Sequence, residues 1–86
     1  MIWGPIEGKV LITGLKVINK TRTEGKVLLF LRRIEDNQLV PVQKVEMSAH
    51  AFHANIELYC TVPEGWTCMA IGDEGIASVE IHFTEL

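Results

Sequence analysis

Hydrophobic and polar residues alternate along most of this chain with the two-residue period of β-strands, in short runs separated by turn-forming residues. Six such runs are present, and Gly, Pro, Asp or Asn stands between them. We therefore expect a single all-β domain over residues 1–86, built as a small six-stranded antiparallel sandwich or barrel.

The first two predicted strands are apolar on both faces. Across residues 8–18 the two faces carry Val10, Ile12 and Ile18 on one side and Leu11, Leu15 and Val17 on the other. Across residues 25–34 they carry Leu28, Phe30 and Ile34 on one side and Val27, Leu29 and Leu31 on the other. Since a half-exposed strand carries polar residues on its solvent face, both strands should be covered on two sides, by a second sheet or by a partner.

A hairpin is predicted at residues 35–38, whose central Asp-Asn pair tolerates the positive φ angles of a tight turn. A two-residue loop at this place would set Phe30 opposite Gln43. Pro41 has no N–H for a ladder hydrogen bond, so its strand should lie at an edge or break there.

Two more hairpins are predicted in the second half of the chain. The stretch VPEGW, residues 62–66, fits a three-residue loop with a left-handed Gly, which would place Cys60 opposite Cys68. The stretch GDEG, residues 72–75, would form the last turn. Because cytoplasmic thiols stay reduced, two buried free thiols are favoured over a disulfide.

The segment near residues 48–54 allows two interpretations. From Phe52 onward the alternation is typical of a half-buried strand. However, Ser48 stands at an N-cap position before an Ala-rich stretch, which also allows one short helical turn before the strand.

The stretch EGKVL occurs twice, at residues 7–11 and 24–28, and a looser echo begins at Glu74. A phosphate-binding loop needs several glycines between a strand and a helix, whereas each copy has one glycine ahead of a strand. We interpret the repeat as the way in which strands begin in this chain, and not as a site.

The composition indicates an excess of apolar surface. The chain has a mass of only 9.7 kDa, yet 48% of its residues are hydrophobic and its mean hydropathy is +0.20. A domain this small buries only about 60% of the surface that its unfolded chain exposes. Some apolar surface should therefore face another protein, most simply a second copy of the chain.

Charge is distributed unevenly along the chain. The first 44 residues carry all eight Lys and Arg residues and four acids, whereas the last 42 carry seven acids and no Lys or Arg. Strands from the two halves would pair their charges across a sheet, which we favour. The alternative is a molecule with one acidic and one basic face, suited to a charged partner.

Few residues are arranged for metal binding or catalysis. An alternative function is a metal or small-ligand site between subunits lined by His50, His53 and His82, although His50 and His53 share a face only in a helix. The sequence has no recognisable catalytic arrangement of Ser, Cys or carboxylates, and a chain of this size leaves little room for a walled pocket. We expect no enzymatic activity, no cofactor and no bound metal.

A basic segment at residues 16–26, which includes Arg22, suggests a second alternative, a binder of single-stranded nucleic acid. Such binders need exposed stacking aromatics, but Phe30, Phe52 and Phe83 stand on faces that we assign to the core. With a net charge of −3, nucleic acid is a disfavoured partner.

Trp3, Tyr59 and Trp66 are the residues that we expect at a protein interface. The tryptophans are large side chains near a terminus and at a hairpin tip, where a monomer buries them with difficulty, and Tyr59 stands on the polar face of its strand. The sequence therefore predicts a cytoplasmic, homo-oligomeric protein–protein interaction module. We recognise neither a signal peptide nor an apolar membrane span, and expect no membrane partner.

Overall fold

The computed structural model describes residues 1–20 and 23–86, which form seven β-strands. In chain order these are β1 (Ile2–Glu7), β2 (Val10–Asn19), β3 (Gly25–Arg33), β4 (Leu39–Met47), β5 (His53–Val62), β6 (Trp66–Gly72) and β7 (Ile76–Glu85). The predicted all-β class is confirmed, with seven strands instead of six.

The strands form two antiparallel sheets that pack face to face. Sheet A has the strand order β1-β6-β3-β4, and sheet B has the order β5-β2-β7. Their inner faces enclose one hydrophobic core, to which both sheets contribute. The architecture is therefore a two-layer sandwich.

The strand that the sequence pattern did not reveal is β1. Gly4 and Pro5 interrupt its alternation, and its pairing with β6 shifts register between Trp3 and Ile6. Pro5 has no N–H to donate, but β1 is an edge strand that pairs on one side, so the sheet tolerates the break.

A β-bulge at Thr13 changes the faces of β2. The register of β2 against both of its neighbours shifts between Ile12 and Gly14. As a result, Ile12 and Leu15 lie three residues apart and yet both are buried in the core. The predicted split, with Ile12 on one face and Leu15 on the other, is wrong, and β2 is apolar mainly on its inner face.

The strand β4 shows the predicted effect of Pro41. It lies at the edge of sheet A, and its register against β3 shifts beside this proline. The predicted pairing of Phe30 with Gln43 is wrong, because Phe30 pairs with Pro41 and Leu29 pairs with Gln43. The cause is the length of the turn. Arg33 donates its N–H to the carbonyl of Gln38 at 2.9 Å and Arg32 pairs with Leu39, so the loop has four residues, 34–37, instead of the predicted two. Val42 is the extra residue of a bulge that lies beyond Phe30, and it affects only the pairs from Leu29 onward.

Both hairpins predicted in the second half are wrong. Strand β6 lies in sheet A, whereas β5 and β7, its neighbours in sequence, lie in sheet B. The turn at residues 62–66 does form, since Trp66 donates its N–H to the carbonyl of Pro63 at 3.2 Å and Gly65 has a φ of 85°. However, it passes the chain from one sheet to the other, so Cys60 and Cys68 belong to different layers.

Residues 48–54 contain no helix. The N–H of Ala51 donates to the carbonyl of Ser48 at 3.1 Å, which makes a single turn, and β5 begins at His53. The predicted short helical turn is therefore wrong. The carbonyl of Phe52 already accepts the N–H of Asn19 at 2.8 Å, so the pairing with β2 starts before a helix could propagate.

Both copies of EGKVL, and the echo at Glu74, stand where a strand begins, as predicted. At the first copy the need for glycine is steric, because a Cβ on Gly8 would lie 2.0 Å from the carbonyl oxygen of Pro63. The stretch therefore serves the packing of the chain against itself.

Substitution of the two adjacent leucines on β3 would show which face of the strand packs in the core. Leu29 is fully buried between the sheets, whereas Leu28 points to the other side. We expect Leu29→Ala to lower the free energy of unfolding by about 2–5 kcal/mol, because it leaves a cavity. Leu28→Ala should cost clearly less in urea denaturation followed by Trp fluorescence, and equal losses would contradict this assignment of faces.

Candidate interaction surface

The outer face of sheet A, which points away from the core, carries a central group of apolar side chains, with charged residues toward both ends of its strands. Strand alternation assigns to it the residues of β3 that lie between the core residues Val27, Leu29 and Leu31, together with their ladder partners. Leu39, the ladder partner of Arg32, lies on the same side. We call the apolar members of this set, together with Leu39, the outer apolar face: Ile2, Leu28, Phe30, Leu39, Pro41, Met69 and Ile71.

Three aliphatic residues form a row across β1, β6 and β3. Ile2 pairs with Ile71, and Ile71 pairs with Leu28. Side chains directly opposite each other in a ladder lie about 5 Å apart, so the row is continuous. The exposed fractions of these residues are 61%, 44% and 37%, so the described parts of the chain leave the row open to solvent.

A second row runs beside the first through Met69, Phe30 and Pro41, which are ladder partners. Phe30 is only 5% exposed, yet it does not belong to the core cluster. Its neighbours on the same face shield it from water. Phe30 therefore forms the base of the outer apolar face, under side chains that are themselves more exposed.

Charges of both signs border this face. A shallow depression of about 360 Å³ lies beside the aliphatic row, with Lys26, Lys44 and Asp73 among its lining residues. The Nζ of Lys44 lies 3.1 Å from Oε1 of Glu46, and this hydrogen bond holds the pKa of Glu46 below its ordinary value. The backbone N–H of Lys26 donates to Oδ2 of Asp73 at 2.9 Å.

The outer face of sheet B is polar by contrast. Its side chains include Lys16, His53, Asn55, Glu57, Tyr59, Glu80 and His82. The strands of sheet B carry three acidic residues and one Lys, whereas those of sheet A carry two acidic and four basic residues. Lys16 pairs with Glu80 across sheet B, and each layer still keeps an excess of one sign.

Two residues predicted at an interface, Trp3 and Trp66, are half-buried and pack against the core. A Cβ on Gly72 would lie 2.7 Å from Cζ3 of Trp3, so the indole ring covers this glycine. The guanidinium of Arg33 lies 5.5 Å from the ring centroid of Trp66, within cation–π distance. Both side chains follow the inward alternation of sheet A and lie outside the outer apolar face.

The third predicted interface residue, Tyr59, is 69% exposed on the outer face of sheet B. Its hydroxyl donates to Oε1 of Glu57 at 2.6 Å, and this hydrogen bond raises the pKa of the phenol. The structure therefore does not bring Tyr59 together with the two tryptophans, and the three residues do not form one surface.

Two aromatic residues that the sequence analysis assigns to the core are exposed. Phe52 is 60% exposed and immediately precedes β5. Phe83 is 43% exposed, although it pairs with the fully buried Ile12. Both phenylalanines stand near a strand end, where the inner face is no longer fully covered by the opposite sheet.

The three histidines do not converge within one chain. His53 pairs with Ile18 and His82 pairs with Gly14, on opposite sides of β2 and about 13 Å apart along the strand. Zinc-ligating nitrogens lie about 2 Å from the metal. Over the described residues no group of three His, Cys, Asp or Glu side chains could hold a metal ion, and a site that includes His50 and a second chain stays a prediction.

The sandwich also divides the basic segment at residues 16–26. Lys16 points outward from sheet B and Lys26 points outward from sheet A, so the two ammonium groups lie on opposite sides of the molecule. Arg22 lies outside the described residues. Phe30, a candidate for base stacking, is buried, so the described part of the segment does not present a track of cations and aromatics.

The two cysteines are free thiols in different surroundings. Cys68 is buried in the core, and this burial raises its pKa to about 12. Cys60 is half-buried, and burial raises its pKa as well. Since the thiolate is the reactive form, neither cysteine is activated as a nucleophile.

The outer apolar face is the feature that the sequence reasoning did not locate, although one signal for it was present. The apolar residues on both sides of β3 indicated a strand covered twice, whereas the second sheet packs only on the side of Leu29. The contribution of Met69 and Ile71 became visible only with the position of β6 between β1 and β3.

Comparison of the chain with models of known protein families, with curated proteins and with solved structures gave no match. Within residues 1–20 and 23–86, no helix has the length and apolar character needed to cross a bilayer. A function has therefore to be argued from the surfaces of the molecule.

The difference between the thiols predicts their reactivity. At about pH 8 we expect iodoacetamide to modify Cys60 of the native protein well before Cys68, because Cys68 is buried and its pKa is raised further. Mass spectrometry should show one added group in the folded state and two in urea. In the Cys60→Ser variant the native protein should no longer be modified rapidly. Rapid modification of Cys68 in the native protein would contradict its burial in the core.

Proposed function

We propose that this protein is a non-enzymatic assembly module that associates with a second copy of itself through the outer apolar face. The observation that carries the proposal is the continuous row of Ile2, Ile71 and Leu28, exposed on three adjacent strands. Burial of apolar surface is the main favourable term in protein association, at about 25 cal/mol per Å².

The size of the face limits the strength of this contact. Four strands about 4.8 Å apart, with about seven residues each at about 3.4 Å, make a face of roughly 19 Å by 24 Å. Its projected area of about 450 Å² is smaller than the roughly 800 Å² that each partner buries in a typical stable interface. We therefore expect weak association that depends on protein concentration.

The bordering charges favour a second copy as the partner. A two-fold contact places a surface patch on itself, so a border of a single sign would repel its own copy. Here Lys44 and Glu46 stand together at one side of the face, and Lys26 stands beside Asp73. A border with both signs can pair with itself.

Free thiols at Cys60 and Cys68 fit a reducing compartment. We therefore include a cytoplasmic location in the proposal.

A charge placed on the outer apolar face should weaken the association. Leu28→Glu would place a carboxylate beside Ile71, and the contact would have to bury it. Lys44, the ladder partner of residue 28, is exposed and already bonded to Glu46, and burying an ion pair is itself costly, so Lys44 offsets only part of this cost. We expect its average mass in light scattering coupled to size exclusion to fall below that of the wild type at the same concentration.

The matched control is Asn55→Glu, which adds the same charge to an exposed strand position on the other sheet. Its mass should equal that of the wild type. The proposal is overturned if the wild type stays at 9.7 kDa at every concentration, or if Leu28→Glu associates as well as the control. In the first case the face would be open to a different protein.

A further inference from the structure

Strand β7 has a long open edge. It is an outer strand of sheet B, ten residues long, and in the described chain it pairs only with β2. The two edges of sheet A contain prolines, Pro5 in β1 and Pro41 in β4, which obstruct pairing with a further strand. From Ser78 to Glu85, β7 has neither Pro nor Lys, the residues that commonly protect an edge.

The other edge of sheet B is less regular. The ladder between β5 and β2 is interrupted between Glu57 and Cys60, and a bulge bends an edge away from a straight partner. On β7, by contrast, the residues from Ser78 to Glu85 pair with β2 one after another, because the extra residue in the β2–β7 ladder, Thr13, belongs to β2. The one extra residue of β7, Ala77, lies at its start, so from Ser78 onward β7 is the most regular open edge in the described molecule.

The direction of the backbone groups of β7 follows from β2. Asn19 donates its N–H to the carbonyl of Phe52 and thus points toward β5. In an antiparallel strand successive residues direct their N–H and C=O groups to opposite sides. Ile18 therefore points toward β7, and its partner Ser78 directs its own backbone groups toward β2.

The backbone groups at the other end of β7 have the same alternation of direction. Leu86 donates its N–H to the carbonyl of Lys9 at 3.0 Å, so it also points toward the β2 side. The even-numbered residues from 78 to 86 thus bond to β2. Val79, Ile81 and Phe83 present their N–H and C=O groups at the open edge, ready for another strand.

We propose that β7 pairs antiparallel with β7 of a second copy, centred on Ile81. In this register Ile81 faces Ile81, Val79 faces Phe83, Glu80 faces His82 and Ser78 faces Thr84 of the second copy. Apolar side chains meet on the inner side of the joined sheet. On its outer side a carboxylate meets an imidazole, the same two groups that already lie 3.1 Å apart within one strand.

The register is set by charge as well as by geometry. A shift by one residue would oppose inward-facing with outward-facing side chains. A pairing centred on Glu80 would oppose two carboxylates, and one centred on His82 would oppose two imidazoles. Within its own sheet Glu80 already lies opposite Lys16. Among these registers only the centre at Ile81 also gives it a complementary neighbour in the second copy, and this register pairs the open N–H and C=O groups of both strands.

The exposure of Phe83 is consistent with this pairing. Its partner on β2, Ile12, is fully buried, yet Phe83 is 43% exposed because the inner face beside it is open. In the proposed pair, Val79 of the second copy would lie beside the ring and remove part of it from water.

The pairing would join two sheets of type B into one sheet of six strands. The two-fold axis of an antiparallel pair stands perpendicular to the sheet, so both copies keep sheet A on the same side. The outer apolar faces of the two copies would then lie next to each other on one side of the dimer. Only this last consequence rests on the proposed function, while the strand pairing stands without it.

The charges at the seam test the pairing. In a Leu28→Glu background, where the outer apolar face is disabled, the protein should still dimerise through β7. Adding His82→Glu opposes two carboxylates at two places in the dimer, and we expect the dissociation constant to rise about tenfold. Adding Glu80→Gln as well removes the opposed carboxylates without setting a like charge against Lys16, the ladder partner of residue 80, and should recover the dimer. His53→Glu, the same change on the other edge of sheet B, should have no effect.

Hydrogen exchange measured by NMR provides a second readout at the backbone. With rising concentration the amides of Val79, Ile81 and Phe83 should become protected, since they donate across the seam. Protection that does not depend on concentration would overturn the pairing, as would a dimer that tolerates His82→Glu.

Different results would overturn the pairing of β7 and the contact through the outer apolar face. A Leu28→Glu protein that is monomeric at every concentration overturns the pairing of β7 and leaves the outer apolar face as the contact. A His82→Glu protein that is monomeric with Leu28 intact overturns the contact through the outer apolar face and leaves the strand edge.

Discussion

The structure depends on one constraint, which is that β3 is apolar on both faces while a two-layer sandwich can cover only one. Leu29 and its neighbours on the inner face pack against sheet B and hold the layers together. Leu28 and Phe30 project from the same strand in the opposite direction, where the chain supplies no further described layer. In a domain of this size the core ends after one layer, and what remains apolar becomes surface.

Local alternation was enough to predict the β class, most of the strands and the two faces of β3. It failed at Thr13, where a bulge turns Leu15 onto the same side as Ile12. It also failed at the turn after β3, where a loop of four residues instead of two pairs Phe30 with Pro41 and not with Gln43. Turn residues also predicted where the chain reverses, but not the sheet to which it goes next. The stretch at residues 62–66 forms its turn and still connects different layers, because pairing is decided by long-range packing.

The candidate surface was harder to predict than the fold. Trp3 and Trp66 were predicted at an interface because they are large. In the structure Trp3 packs over Gly72, which has no side chain to obstruct it, and Trp66 packs against the guanidinium of Arg33. The exposed surface is made of smaller aliphatic residues that are far apart in sequence. Ile2, Ile71 and Leu28 become neighbours only through the strand order of sheet A, which no periodicity in the chain encodes.

The position of β6 has a consequence for the order in which the molecule can fold. β6 joins β1 to β3, yet it follows both of them in the chain and is synthesised later. Until it arrives, β1 has no partner and the β3–β4 hairpin has one open side next to its apolar residues. Contacts between distant parts of a chain form slowly, and open apolar strands are prone to aggregate in the meantime. A nascent chain of this protein is therefore most vulnerable just before β6 docks.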